Sequence, residues 1–246
     1  MPKLNLTFPF HFSKIKLMLK RIVLGLFLTL TLIFLILELR NLSSGTPYDK
    51  SISMGYLTAL IYTIVFGFLL QKTLSSAFAN SNKVLTFVAL GLTGAVIVET
   101  SIWAAQNVFK ASGASINDIL AVDLLMTLPF YGFLTYLFAK VAIKSQHKPS
   151  LLSVLVLGGI YELFADGVFG SLLKNSLLGV LLSPLMLPVF VVIYAPIILV
   201  PYIVTFNPKD RWANFNLEVI FLKPVFAVLV LPFSIMLGLF IRRVLG

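Results

Sequence analysis

The stretch from Gly158 to Phe206 constrains the fold more than any other. It opens Gly158-Gly159-Ile160-Tyr161-Glu162-Leu163-Phe164-Ala165-Asp166-Gly167, crosses a short polar break at Lys174-Asn175-Ser176, and continues as an apolar run punctuated by Pro184, Pro188, Pro196 and Pro201. Two carboxylates therefore sit inside a segment apolar enough to cross a bilayer, and prolines interrupt the segment that follows. In lipid both features are unfavourable. A charge loses its hydration, and a broken helix bares backbone polar groups that hydrocarbon cannot satisfy.

Composition says that lipid is the solvent. The chain has 246 residues, 59% of them hydrophobic and 11% charged, with a mean hydropathy of +1.01. A soluble domain is roughly 45–50% apolar and about 25% charged. A core of this size cannot hide so much apolar surface from water, so the expected fold is all-α: a polytopic integral membrane helix bundle. The absence of cysteine excludes disulfides, thiol catalysis and Cys-based metal sites. The histidines, His11 and His147, both fall outside the apolar segments, which argues against a His-rich zinc or haem site in the membrane. There is no Gly-rich phosphate loop, so nucleotide hydrolysis is not expected, and nothing in the sequence names a cofactor. The net charge of +10 is dispersed at the ends of apolar segments. That distribution signals topology and contact with anionic membrane lipids, and no nucleic-acid partner is expected.

In chain order, residues 1–21 mix aromatic and basic side chains and suit a cytoplasmic segment lying on the membrane surface, or a loosely ordered terminus. Residues 22–246 then read as one transmembrane domain. The first span is expected at Ile22 to Leu39, too long an apolar stretch for a cleaved signal and so a retained anchor. Further spans are expected at 54–71, 84–105, 118–139, 151–172, within 177–206, and at 219–241. The sixth stretch is either one kinked helix or a helix plus a re-entrant piece turning at Ser183-Pro184 to Pro188. Lys and Arg divide thirteen to six in favour of a cytoplasmic N-terminus. Seven spans leave Arg242-Arg243 outside, whereas an eighth crossing hidden in 177–206 would bring that pair inside, so the count is seven or eight. The cell membrane is the expected location.

With these spans, Glu99, Asp123 and Asp166 all fall roughly 8–9 Å below the outer boundary at 1.5 Å per residue, and Glu162 lies one turn deeper on the face of Asp166. An acid at the bilayer centre costs about 2.5–3.5 kcal/mol, so four at similar depth suggest a shared polar cavity. Intramembrane cations are scarce, so such a cavity would share a proton or bind a metal ion or small cationic solute. Individually satisfied acids are the competing explanation, and Asp118 reads as a helix cap. Trp103 and Tyr161 are candidate lining residues, although an interface belt explains Trp103 equally well. Gly91, Gly94, Gly158 and Gly159 read as close helix packing.

The leading function is thus a transporter- or channel-like protein, with Glu162 as the group whose protonation changes. A membrane-embedded enzyme acting on a lipid or isoprenoid, its acids serving as acid and base or holding Mg²⁺, is the second class. An accessory subunit of a membrane complex is the third. A homo-oligomer or a partner membrane subunit is compatible with each. Asp123-Leu-Leu-Met-Thr127-Leu-Pro129 resembles the Asp-x-x-x-Thr-x-Pro of microbial rhodopsin third helices. Here it falls in the fourth span, and Lys223 lies at a helix end, so the chain is assigned to no family.

Overall fold

The computed structural model describes residues 10–144, 150–164 and 176–207, with Met236, Phe240 and Arg243 as isolated positions. Among these residues the only regular structure is helical. Among the described residues, four helices are long and apolar enough to cross a membrane: Pro47–Leu69, Lys83–Phe109, Leu120–Ile143 and Leu177–Phe206. They coincide with the second, third, fourth and sixth expected spans. The seventh, 219–241, falls outside the described residues apart from Met236 and Phe240.

Helix α1 (Phe10–Ser44) runs unbroken through the boundary expected at residue 21, so from Phe10 onward the basic segment and the first apolar stretch are one element. Gly45 and Thr46 turn the chain into α2 (Pro47–Tyr62). Thr46 and Asp49 form a reciprocal capping box there, and Pro47, at the first helical position, lacks only an N–H that would have been orphaned. Helix α2 widens into a π segment, Thr63–Leu69, and the short α3 (Gln71–Ala77) follows. Asn82 caps α4 (Lys83–Phe109), accepting from the Val84 and Leu85 amides. Helices α5 (Leu120–Lys144) and α6 (Leu151–Glu162) come next; the remainder of the fifth expected span, from residue 165, lies outside the described residues.

The run from Leu177 to Phe206 is a single helical rod of changing pitch. It comprises α7 (Leu177–Leu182), a 3₁₀ turn (Ser183–Met186), α8 (Leu187–Tyr194), a π segment (Ala195–Leu199) and α9 (Val200–Phe206). The prolines account for the changes. Pro196 and Pro201 have no N–H to give to Val192 and Ile197, so the α-helical ladder fails there and the backbone rewinds. Of the two readings of this stretch, the kinked helix is the one observed.

From Leu187 onward this rod is the centre of the bundle, with most of its residues buried, whereas Leu177, Leu178, Leu181 and Leu185 are exposed. The central rod packs against α1, α2, α4, α5 and α6. Phe87 of α4, Phe138 of α5 and Tyr202 and Phe206 of α9 form an aromatic seam at one end, with ring centroids 5.3–6.2 Å apart. Gln71 and Ser75 tie α3 to the same end through Asn207 and the Val204 carbonyl.

Glycines set the closest approaches. A Cβ on Gly94 would stand 2.5 Å from the Pro196 carbonyl oxygen, and one on Gly91 would stand 2.7 Å from that of Ile197. The π segment thus lies directly on α4. Gly159 is just as tight against Val191, with the Val191 amide nitrogen 2.9 Å from the added carbon. Gly132, by contrast, has only the Leu92 side chain at 3.6 Å. We expect Gly94→Ala to destabilise the protein by about 1–3 kcal/mol through overpacking against backbone. Gly132→Ala is expected to be neutral or stabilising by up to about 1 kcal/mol, through helix propensity. Thermal unfolding in detergent compares the two directly, and equal midpoints would refute the packing account.

Candidate functional site

The bundle brings glutamates from three helices to one half of the central rod. On α6, a Cβ at Gly158 would meet Tyr194 Cβ at 3.3 Å while Gly159 meets Val191, so α6 runs antiparallel to α8. Glu162 is one turn further along, toward the Leu187 end, and is buried. On α4, Gly91 meets Ile197 and Gly94 meets Pro196, which is again antiparallel. Glu99 lies five residues past Gly94, about 7–8 Å further toward that same end. On α2, Tyr56 packs with Val189 and Val192, and Tyr62 with Val200 and Val204, so α2 runs parallel to the rod. One turn before Tyr56, Ser53 donates to Glu38 of α1 at 2.6 Å, and both residues are buried. Glu38, Glu99 and Glu162 therefore all fall at the Leu187–Tyr194 half of the rod.

Glu99 is half-buried near the middle of the α4–α5 interface, where the Tyr131 hydroxyl donates to its Oε1 at 2.6 Å. Tyr131 meets Tyr194 edge-on, with centroids 5.8 Å apart, and so joins Glu99 to the rod. Tyr161, expected as a lining residue, is 1% exposed, and its hydroxyl has no hydrogen-bond partner among the described residues.

Asp123 has a different place. Helix α4 extends to Phe109, so Glu99 is about ten residues, some 15 Å, from its end, whereas Asp123 is in the first turn of α5. The two are not at one depth, and the expected common layer does not hold for this pair. The difference arises because α4 is longer at its C-terminal end than the hydropathy boundary suggests.

Asp123 instead closes the α4–α5 loop. Its Oδ1 accepts from the Asn117 amide at 2.9 Å, while Oδ2 is buried without a partner among the described residues. Gln106 organises the same loop, its Oε1 accepting from the Ala114 and Ser115 amides and its Nε2 donating to Asp118. Asp118 is therefore a loop tie rather than the expected cap, and the Ile119 amide is taken by the Asn117 side chain. Trp103 donates its indole N–H to the Asp118 carbonyl at 2.8 Å, pinning the loop. Asp166 lies outside the described residues.

Glu38, Tyr131 and Gln106 were not among the residues expected from the sequence. Glu38 had a signal of its own: it is an acid flanked by Leu37 and Leu39 within the first apolar stretch. Tyr131 had none, because a tyrosine inside a span is ordinary.

Among the described residues, no three His, Cys, Asp or Glu side chains come together in a way that could hold a metal ion. What the arrangement offers is carboxylates met by hydroxyls. Both 2.6 Å contacts have the length of a charge-assisted O–H···O bond, and both partners can also accept.

Comparison with protein-family models, curated proteins and solved structures returns no match.

If Gln106 holds the α4–α5 loop as described, Gln106→Ala frees the buried Ser115 amide, worth about 1–3 kcal/mol, and the part-buried Ala114 amide. Amide exchange at Ala114 and Ser115 should then quicken while that in the centre of α4 stays slow. Exchange at those two residues equal to that of the wild type would refute this role.

Proposed function

We propose that this is a multi-pass membrane protein of seven or eight spans that binds a proton, or a small cation in its place, at Glu99 and Glu162, and moves it as a transporter or channel does. The observation that carries this reading is the Tyr131 hydroxyl bound to Glu99 at 2.6 Å, beside the proline-broken rod. Polar groups in an apolar bundle are unfavourable and are kept where they serve passage or chemistry. Broken helices at membrane depth mark solute and ion sites, and π segments recur at functional positions.

A hydroxyl partner suits a group that gains and loses a proton. It donates to the carboxylate and can turn to accept from the carboxylic acid, so neither state is left unpaired. Asp166, four residues beyond Glu162 in sequence, belongs with it in this reading, and Glu162 remains the group whose protonation changes during turnover. The thirteen-to-six bias of Lys and Arg supports a cytoplasmic N-terminus in the cell membrane. A second copy or a partner membrane subunit would cover the exposed leucines of α7.

The test is proton movement in proteoliposomes carrying an entrapped pH indicator, under an imposed pH gradient. Glu99→Gln and Glu162→Gln should each lower the flux at least tenfold, while Tyr131→Phe should lower it less and alter its pH profile. Equal flux in all four proteins and in protein-free vesicles would refute transport at this site.

A further inference from the structure

We infer that Glu38 is a second proton-binding site, built into the seam between α1 and α2 and separate from the Glu99 site.

Glu38 is buried, at 6% exposure, although a carboxylate in the last two turns of α1 could have turned outward to solvent or headgroups, as its neighbour Arg40 does. It points instead at α2. There the Ser53 hydroxyl, 0% exposed, donates to Oε2 at 2.6 Å, and the Asn41 side chain provides a second donor. The floor of the site is apolar: Phe34 and Leu35 of α1 pack with Tyr56, Val189 and Val192 one turn away.

The charged and titratable groups facing it can be taken element by element. Helix α1 contributes Arg40, which is exposed. Helix α2 contributes Asp49, held in the capping box with Thr46, Lys50, whose ammonium lies 5.9 Å from the Phe109 ring centroid, and Tyr56. The surface of α8 against this seam is Val189 and Val192. Among the described residues, Ser53 and Asn41 are the side chains that donate to the Glu38 carboxyl, and the charge of Asp49 acts on it from a distance.

This selects the ligand. A metal ion needs several oxygen or nitrogen ligands around one point, and no such group of acidic or histidine side chains exists among the described residues. An organic cation needs room that Phe34, Leu35 and Tyr56 already fill. A proton needs neither. When it binds Oε2, the new O–H donates to Ser53 Oγ, and the serine proton turns away from the pair. When it leaves, the serine donates again as seen here. The pair is complete in both states.

Position adds a second reason. Ser53 is one turn before Tyr56, which packs at Val189, so Glu38 meets the rod near Leu187 at the end where α1 finishes and α2 begins. Glu99 is deeper, near the middle of α4. A proton arriving from the α1–α2 turn reaches Glu38 first.

Infrared difference spectra of the full chain in nanodiscs, taken between about pH 3 and pH 9 so that the range brackets ordinary carboxyl titration near pH 4, read the site directly. The wild type should show the carbonyl stretch of a protonated carboxylic acid lost at alkaline pH and shifted in heavy water. Glu38→Gln should remove the Glu38 share of that band. Ser53→Ala retains the acid but takes away its partner, and should move the band in frequency without abolishing it. Glu99→Gln should leave the Ser53-sensitive component in place. A band unaltered by Ser53→Ala refutes the assignment even if Glu38→Gln fails to fold, and a folded Glu38→Gln protein with a wild-type spectrum refutes it as well. A Ser53-sensitive band together with wild-type flux in Glu99→Gln vesicles would sustain the Glu38 site and overturn transport through Glu99.

Discussion

An ionised carboxylate inside an apolar helix bundle must be met by donors, and three of the described acids are met by hydroxyls and a backbone amide. Ser53 serves Glu38, Tyr131 serves Glu99, and a loop amide serves Asp123. The helix geometry follows from those pairings. Glu38 can reach Ser53 only because Gly45 and Thr46 turn α1 back on α2 within two residues, the capping box fixing the angle. Glu99 can reach Tyr131 only because the α4–α5 loop, drawn in around Gln106, holds the two helices side by side over their length. The loop ties and the buried acids are therefore parts of one structure. Loosening the first would separate the partners of the second.

The central rod obeys the same constraint in its backbone. Four prolines leave carbonyls without their helical donors, and apolar surroundings provide no water to replace them. The rod responds by changing pitch, and α4 responds with glycine. Gly91 and Gly94 bring the α4 backbone directly onto the Ile197 and Pro196 carbonyls. A side chain at either position would hold the helices apart. Small residues in α4 and irregular pitch in the rod are thus two halves of one solution, which places a π segment directly after Tyr194, the ring that Tyr131 of the Glu99 pair packs against.

Much of this was legible in the sequence, for reasons that differ from residue to residue. The apolar stretches at 54–71, 84–105, 118–139 and 177–206 marked four helices because hydropathy over about 20 residues is a property of composition alone. Their ends were less legible. Helix α4 runs on to Phe109 because Gln106 and Trp103, polar enough to resemble a boundary, bond to the following loop instead of facing solvent. That extension moved Glu99 deeper than its expected depth and left Asp123 at a helix start. Asp118 looked like a cap because it is an acid before a helix, but its Oδ1 accepts from Gln106 and the Asn117 side chain takes the Ile119 amide. Tyr131 carried no signal, since its role is defined by a residue 32 positions away.

Glu38 shows why acids in such a chain are better judged by partner than by depth. By depth it is marginal, close to the end of α1, where a side chain can reach polar surroundings. By partner it is well defined, buried and with a serine hydroxyl at 2.6 Å. Depth measures how unfavourable an ion would be if nothing answered it. The partner decides which protonation states the protein can hold, and a hydroxyl, unlike a cation, holds both.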